Sequence, residues 1–296
     1  MCTSVSARSP HGCFFSRNLD LEYEFGDGII FVPREWELRL RCGKIIREHA
    51  AFLGVGIMRD GYPLLADGMN EWGLSIAGLR YVDVGATDRC TDHDFLAQFE
   101  IIPYLLATCK SVADVRRELL KFEIRDIKFD ADTENQPMHF HASGHDGDIV
   151  LEPDGTELKI YENTVGVLTN APDFPSQLRS MERCLKYGDA SGIESGAQAM
   201  PGDYSSPSRF VRAALLLKNF KEHGESADDL YDLMRCVAPP KGAVIKENGL
   251  LHYTRYTAIM DTENLCYRVR RKSKEYSLSL TETLSCGRFP YTSRFK

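Results

Sequence analysis

The order of strand-like and helix-like segments is the feature that most restricts the fold of this chain. Short apolar runs with internal glycines, of a length that suits buried strands, occur at residues 28–33, 52–58 and 73–81, the last after a turn at 67–70. Helical spacing follows at 94–109 and in a segment capped by Ser111. The remaining segments predict strands at 138–143, 149–152, 158–161 and 165–169, helices at 206–220 and 227–236, and strands at 254–260 and 265–270.

Strands and helix pairs alternate along the chain, but they do not form a regular strand–helix–strand (βαβ) repeat. This order indicates an α+β fold rather than a doubly wound sheet. No internal repeat, low-complexity tract or Pro/Ser-rich linker divides the 296 residues. We therefore predict a single continuous domain over residues 1–296.

Composition and charge argue against several classes of protein. The formal net charge is −7 at pH 7, whereas phosphate binding needs clustered Lys and Arg. No apolar run reaches the roughly 20 residues that span a bilayer, and residues 1–9 lack the basic start and apolar stretch of a signal peptide. We therefore expect a cytoplasmic protein without nucleic-acid or membrane partners.

The nine cysteines are widely spaced and form no C-x-x-C pair. A zinc ribbon or a thioredoxin-like motif is therefore unsupported. In a reducing compartment we expect most of these thiols to be small buried hydrophobic side chains.

Cys2 is the first candidate for chemistry. A small residue after Met1 permits removal of the initiator methionine, and Cys2 would then carry a thiol and a free α-amine together. The ordinary pKa values of a thiol, about 8.5, and of an α-amine, about 7.7–8.0, are well matched, so one residue can supply both nucleophile and base. On position alone, an incidental cysteine at this position is the simpler interpretation.

Three other segments carry side chains suited to the same chemistry. Asp20 can accept hydrogen bonds from the ammonium of Cys2, and Arg17 can stabilise a thiolate by its charge; a surface Arg–Asp pair is the alternative. Asn170, in a turn that contains proline, can aim its amide into a cleft as an oxyanion hole requires, or form an ordinary Asx turn. Arg209, at the start of a predicted helix, can stabilise developing negative charge or face solvent.

Together these segments resemble the choloylglycine hydrolase family, which contains bile salt hydrolases and penicillin V acylases. The similarity extends nearly from end to end, and the order and spacing of its short motifs make coincidence an unsatisfactory explanation. The motifs are MCT at 1–3, RNLD at 17–20, VPR at 32–34, ADGMNEWGLSIAGL at 66–79, VLTNAP at 167–172 and PGDYSSPSRF at 201–210.

The resemblance implies a fold, a set of roles and an assembly. The fold would be the four-layer αββα sandwich of N-terminal-nucleophile hydrolases, with two antiparallel sheets between helical layers. Cys2 would be nucleophile and base, Arg17, Asp20 and Arg209 fall on the other charged catalytic positions, and Asn170 falls on the oxyanion-hole asparagine. Such enzymes need no metal or cofactor, and many are homotetramers.

Arg80 departs from the pattern of the family. Bile salt hydrolases usually carry Asn after the AGL motif and penicillin V acylases usually carry Tyr, whereas this chain has Arg. The main-chain N–H of this position also contributes to the oxyanion hole in the family, and any side chain preserves it. The Arg80 side chain can pair with the carboxylate of a glycine conjugate or the sulfonate of a taurine conjugate, or it can point into solvent.

We therefore expect a bile salt hydrolase that cleaves the amide between a bile acid and glycine or taurine, because residues 26–33 look closer to that branch. The nearest alternative is a penicillin V acylase or another acylase, acting on N-acyl amino acids or N-acyl homoserine lactones. A non-catalytic binding protein with this fold would be expected to lack Cys2 or Asn170, and both are present. A thiol-rich redox or metal protein is disfavoured by the cysteine spacing.

Overall fold

The computed structural model describes residues 1–25, 28–81, 94–133, 136–154, 157–188, 200–284 and 289–295. The strands in these ranges are β1 (Cys2–Ser9), β2 (Gly12–Leu21), β3 (Gly28–Val32), β4 (Leu38–Arg39), β5 (Ile45–Ile46), β6 (Phe52–Arg59), β7 (Tyr62–Leu65), β8 (Asp67–Asn70), β9 (Ser75–Arg80), β10 (Phe95–Ala97), β11 (Glu123–Arg125), β12 (Met138–Gly144), β13 (Gly147–Asp154), β14 (Glu157–Glu162), β15 (Val167–Leu168), β16 (Tyr253–Asp261), β17 (Cys266–Arg271), β18 (Lys274–Ser279) and β19 (Tyr291–Arg294). The helices are α1 (Ile101–Thr108), α2 (Val112–Leu119), α3 (Phe174–Gly188), α4 (Ser206–His223), α5 (Ala227–Cys236) and α6 (Leu280–Thr283), with a 3₁₀ helix at Gln98–Glu100.

The two large sheets are antiparallel. The first has six strands in the order β15-β1-β2-β16-β17-β18. The second has nine strands, in the order β14-β13-β12-β9-β8-β6-β3-β19 with β7 paired to β6. The β1–β2 hairpin lies near the middle of the first sheet, where Cys2 is opposite Leu19. The amino terminus is therefore held inside the fold.

Alternating side chains along the second sheet divide the core in two. On β3, Ile29 and Phe31 belong to the cluster shared with the first sheet and with α4 and α5, whereas Ile30 and Val32 belong to the cluster that contains α1 and α2. This period of two is expected when both faces of a strand are buried. The layers are therefore helices, sheet, sheet and helices, which confirms the α+β class and the αββα sandwich.

A row of polar contacts joins the facing sheets along β1. Ser4 Oγ lies 2.9 Å from His141 Nδ1, and Ser6 Oγ lies 3.0 Å from Ser143 Oγ. Because successive strand side chains point to opposite faces, Cys2 shares the face of Ser4 and Ser6 and points into the space between the sheets. The pairing of β1 thus decides where the thiol lies.

The expected turn at 67–70 is wrong, because these residues form β8 and the turn lies at residues 71–72. Asp, Gly and Asn favour turns, but here their polar groups have internal partners. Asn70 Nδ2 donates to the carbonyls of Leu106 and Cys109, and its Oδ1 accepts from two main-chain N–H groups. Burial with complete hydrogen bonding therefore outweighs the local turn preference.

The expected helix at 94–109 begins later than the apolar spacing indicates. Phe95–Ala97 forms β10, which pairs with β11, and α1 begins only at Ile101. Glu100 stabilises this interruption between β10 and α1, because its side-chain oxygens accept hydrogen bonds from the main-chain N–H groups of Ala97 and Arg41. By contrast, the Ser111 cap is confirmed, since its side chain accepts from the Asp114 N–H.

The expectation that most cysteines are buried is also wrong for the part of the chain that the structure describes. There only Cys2 and Cys109 are buried, four others are half-buried and Cys236 is exposed. Cys90 and Cys286 lie outside the described residues.

Candidate active site

Cys2 lies buried at the start of β1, with 3% of its surface exposed. The Nη2 of Arg17, on the neighbouring strand β2, lies 3.4 Å from the Cys2 Sγ. The same nitrogen donates to the carbonyl of Gly78 on β9 at 2.9 Å. A fixed positive charge therefore faces the sulfur, as stabilisation of a thiolate requires.

Asn170 follows β15, which pairs with β1 and so brings the asparagine beside Cys2. The Cys2 N–H donates to Asn170 Oδ1 at 2.6 Å, and Arg209 Nη2 donates to the same oxygen at 2.9 Å. Two donors on one oxygen identify it as the carbonyl of the amide, so the other atom is Nδ2. Asn170 Nδ2 donates to the main-chain carbonyl of Arg80 at 2.8 Å.

Arg209 lies in the first turn of α4 and is fully buried. Its Nη1 donates to the carbonyl of Cys2 at 2.5 Å and to Thr3 Oγ1 at 2.6 Å. That nitrogen also lies 3.9 Å from Asp20 Oδ2. One guanidinium therefore contacts the main chain of the cysteine and the side chains of Asn170 and Asp20.

Asp20 is also fully buried, and its Oδ1 accepts from Thr254 Oγ1 at 2.7 Å. Its Oδ2 has no hydrogen-bond partner among the residues that the structure describes. Burial raises the pKa of Asp20 above its usual value, while the charge of Arg209 acts in the opposite direction. Burial likewise lowers the pKa of Arg209, opposed by Asp20. Each charge therefore depends on the other, because neither has contact with solvent.

Arg80 closes the site at the end of β9 with an exposed side chain. The next residue, Tyr81, donates its N–H towards β12, to the carbonyl of Pro137 at 2.7 Å. Hydrogen-bonding directions alternate along an antiparallel strand, so the N–H and C=O of Arg80 both point away from β12. The Arg80 N–H thus lies on the edge that its carbonyl shares with Asn170 Nδ2.

His139 connects the two segments that carry Arg80 and Asn170, and no sequence motif indicated it. Its ring stacks on Tyr81 with centroids 4.7 Å apart, and its Nε2 donates to the carbonyl of Thr169 at 2.6 Å. Its Nδ1 lies 3.1 Å from Glu152 Oε1. Its position in an ordinary alternating strand gave no signal of this contact.

Met1 extends β1 by one residue and occupies space beside Asp20. The Met1 amine donates to the Asp20 carbonyl at 3.0 Å, and the Asp20 N–H donates to the Met1 carbonyl at 3.0 Å. The amine also contacts the ring of His252. Burial lowers the pKa of His252 to about 4, and burial also lowers the pKa of the Met1 amine. With Met1 attached, the Cys2 nitrogen is an amide and cannot act as a base.

The structure thus brings together the six residues singled out in the sequence: Cys2, Arg17, Asp20, Arg80, Asn170 and Arg209. They supply a buried thiol facing a cation, and amide donors at one strand edge.

Among the described residues, no group of three or more His, Cys, Asp or Glu side chains is arranged to hold a metal ion. In the same part of the chain, no helix is long and apolar enough to cross a membrane. The absence of a cofactor remains a prediction.

Comparison with known proteins identifies relatives of the whole chain. The model of the choloylglycine hydrolase family, described as linear amide C–N hydrolases, matches residues 2–284. A bile salt hydrolase/transferase from Lactiplantibacillus plantarum is 32% identical and covers 95% of this chain and 92% of its own. A conjugated bile acid hydrolase from Lactobacillus gasseri is 31% identical, with 92% of this chain and 91% of its own covered. Both relatives are bacterial.

Solved structures agree with this assignment of the fold. A mutant of the conjugated bile acid hydrolase from Clostridium perfringens superposes with a TM-score of 0.91 and 27% identity, covering all of this chain and 97% of its own. Penicillin V acylase from Agrobacterium tumefaciens superposes with a TM-score of 0.76 and 20% identity, covering 95% and 87%. At that identity the acylase shows the shared fold alone.

Proposed function

Because the chain belongs to the choloylglycine hydrolase family and is thus a hydrolase of linear amide C–N bonds, we propose that its substrates are bile acids conjugated to glycine or taurine. The observation that carries the chemistry is the surroundings of Cys2: its sulfur faces Arg17 Nη2 at 3.4 Å and its nitrogen lies 2.6 Å from Asn170 Oδ1. The choice of bile salts is supported by the names of the relatives that are about 31% identical over most of the chain.

The first step needs a free amine on Cys2, which removal of Met1 creates. The amine takes the thiol proton, directly or through water, and the thiolate attacks the amide carbonyl. Two buried acceptors suit the ammonium that results: Asn170 Oδ1, and Asp20 Oδ2, which accepts no hydrogen bond from the described residues. Arg17 stabilises the thiolate until it attacks.

The tetrahedral intermediate then carries negative charge on the former carbonyl oxygen. Asn170 Nδ2 has a second N–H besides the one that donates to the Arg80 carbonyl, and the Arg80 N–H lies at the same strand edge. Two donors aimed at one point form an oxyanion hole. Arg209 fixes the amide orientation, because it donates to Asn170 Oδ1 and leaves Nδ2 facing the substrate.

The C–N bond breaks when the Cys2 ammonium returns its proton to the leaving nitrogen of glycine or taurine. The acyl group remains as a thioester on the Cys2 sulfur. The free amine then takes a proton from water, whose oxygen attacks the thioester, and the bile acid leaves as the thiolate is restored. The cycle needs no redox partner, because every bond formed or broken involves only the cysteine, water and the substrate.

A substrate panel tests this proposal. Purified protein would be incubated with glycine and taurine conjugates of bile acids, penicillin V and N-acyl homoserine lactones, and products read by mass spectrometry. We expect release of glycine or taurine with the highest kcat/KM, and no turnover by Cys2→Ala. Higher kcat/KM for penicillin V or for lactones would overturn the substrate assignment while retaining the hydrolase.

We also propose that the chain is one domain and assembles as a cytoplasmic homotetramer. The support for the tetramer and the location is the resemblance to the family, and that for the single domain is a chain without linker composition. Native mass spectrometry of the purified protein tests the assembly. A monomer or dimer at micromolar concentration would contradict it.

A further inference from the structure

Arg17 also contacts an acidic side chain, which its role beside the thiol does not explain. While Nη2 faces the Cys2 sulfur, Nη1 donates to Asp67 Oδ2 at 2.8 Å. Asp67 lies on β8 in the second sheet, whereas Arg17 lies on β2 in the first. The ion pair therefore crosses the interface between the sheets, and the side chain of Arg17 is only 2% exposed and that of Asp67 is wholly buried.

Two tyrosines complete the surroundings of Asp67. The Tyr256 hydroxyl donates to Asp67 Oδ2 at 2.5 Å and lies 3.1 Å from Arg17 Nη1, and the Tyr267 hydroxyl donates to Asp67 Oδ1. Burial raises the pKa of both phenols well above the usual value, so both keep their protons and act as donors. The carboxylate is therefore bound by three donors, and its orientation is fixed.

The charges around the sulfur balance before the thiol ionises. Arg17 and Asp67 form one pair, and Arg209 and Asp20 form another on the other side of Cys2. When the thiol proton passes to the Cys2 amine, the thiolate and the ammonium form a third pair of charges in the same buried site. Without Asp67, the charge of Arg17 would have only the thiolate to balance it.

We propose that Asp67 is a positioning residue of this site: it directs the Arg17 guanidinium at the Cys2 sulfur and moderates its charge, and the hydroxyls of Tyr256 and Tyr267 hold it in place. This inference rests on the proposed role of Cys2 as nucleophile. Moderation matters because the nucleophilicity of a thiolate falls as the thiolate becomes more stable. An unbalanced Arg17 would ionise the thiol readily but leave a weaker nucleophile.

The test is the pH dependence of alkylation at Cys2. The rate at which iodoacetamide modifies the N-terminal peptide would be measured by mass spectrometry from pH 5 to pH 10. Asp67→Asn keeps an oxygen for Arg17 but removes the charge. Since a nearby charge shifts ionisation by roughly 1–3 pH units, we expect the midpoint of Cys2 alkylation to fall by about 1 unit. A midpoint at or above that of the wild type would overturn the inference.

The chain offers a matched control. Arg8 and Asp148 form another ion pair across the same two sheets, with Asp148 6% exposed and Arg8 six residues along β1 from the thiol. Asp148→Asn removes a similar charge at a distance from Cys2, so we expect the wild-type midpoint. An equal fall in both variants would mean that loosening of the sheets causes the shift, and would overturn the role of Asp67.

If Asp67→Asn does not fold, Tyr267→Phe provides the second test. This variant keeps the charge of Asp67 but removes one hydrogen-bond donor to its carboxylate. The negative charge near the sulfur is then less offset, so the midpoint of Cys2 alkylation is expected to rise by a few tenths of a pH unit. A fall or no change would contradict the inference.

Cleavage of bile salts is a separate readout. Cleavage without the midpoint shifts refutes the role of Asp67 alone, and midpoint shifts without cleavage refute the substrate assignment alone.

Discussion

The main-chain N–H of Cys2 donates to the side-chain oxygen of Asn170 across 2.6 Å, although the two residues are 168 positions apart. The strand pairing of β1 with β15 creates this contact. It links the amine that the proposed mechanism uses as a base to the amide that it uses as an oxyanion donor. Changes at either residue are therefore expected to affect chemistry more than binding.

The first prediction is that the active protein begins at Cys2. An amide nitrogen has no basic lone pair, so a chain that keeps Met1 lacks the proposed base. Intact-mass spectrometry of an active preparation is expected to show loss of one methionine. Full activity in a preparation that retains Met1 completely would refute the mechanism.

The second prediction is that Cys2→Ala abolishes turnover without unfolding the protein. Loss of a nucleophile costs on the order of a million-fold in kcat in hydrolases. The control is Cys236→Ala, because Cys236 is the exposed thiol among the described cysteines and is expected to retain wild-type kcat. Steady-state kinetics and circular dichroism check both variants. A near-normal rate in Cys2→Ala would assign the chemistry to another group.

The third prediction concerns the oxyanion donor. Asn170→Ala is expected to lower kcat by about 10²–10³, the usual cost of removing one such donor. KM is expected to change little, because the charge that the donor stabilises exists only after attack. Separate measurement of kcat and KM on the best substrate decides this. An effect on KM alone would place Asn170 in substrate binding.

The sequence predicts elements well where local composition and burial agree. The apolar runs at 28–33 and 52–58 are β3 and β6, and α5 spans 227–236 as expected. Prediction from the sequence fails where contacts with residues far along the chain determine the secondary structure. Asp67 and Asn70 have the composition of a turn, yet they lie in a strand, because Arg17 and main-chain carbonyls far along the chain satisfy their polar groups.

The residues of the candidate site were likewise predicted only in part from the sequence. Motif resemblance located Cys2, Arg17 and Asn170, and the structure brings them together. Residues that act through others were missed, because nothing in their local sequence is unusual. Tyr256 lies in β16 and His139 lies in β12, and only the packing of the sheets brings them to the site.

The fourth prediction is an unusual pH dependence of stability caused by Glu100. Burial raises its pKa from 4.5 to about 7, so the folded state holds a proton that the unfolded state has lost between these values. Its contribution to stability is therefore present below pH 4.5 and is lost as pH rises through 7. The loss is on the order of 3 kcal/mol, since one pKa unit corresponds to about 1.4 kcal/mol.

Glu100→Gln cannot ionise and provides the comparison. Urea unfolding at pH 5 and pH 8 would give the free energy of unfolding of both proteins. We expect the wild type to lose stability relative to Glu100→Gln as pH rises, whereas Glu222→Gln, at an exposed site, follows the wild type at both values. A difference between wild type and Glu100→Gln that does not change with pH would contradict the prediction.

The fifth prediction is that Arg80 sets substrate preference rather than chemistry. Its side chain is exposed at the end of β9, while its main-chain carbonyl contacts the amide of Asn170. A guanidinium beside the scissile bond favours substrates whose leaving group is anionic, such as glycine or taurine. The leaving group of an N-acyl homoserine lactone is neutral and gains nothing from this charge.

Arg80→Asn should therefore reduce discrimination between the two substrate classes. A charge-assisted contact contributes about 1.5–3 kcal/mol, or roughly ten- to a hundred-fold in kcat/KM. The variant is expected to keep hydrolysing its best substrate, because the main-chain N–H that we propose as an oxyanion donor is unchanged. The measurement is the ratio of kcat/KM for a taurine conjugate to that for an acyl homoserine lactone, in wild type and in Arg80→Asn. Equal ratios would show that the side chain does not contact the leaving group, and complete inactivity on every substrate would instead place Arg80 in the catalytic machinery.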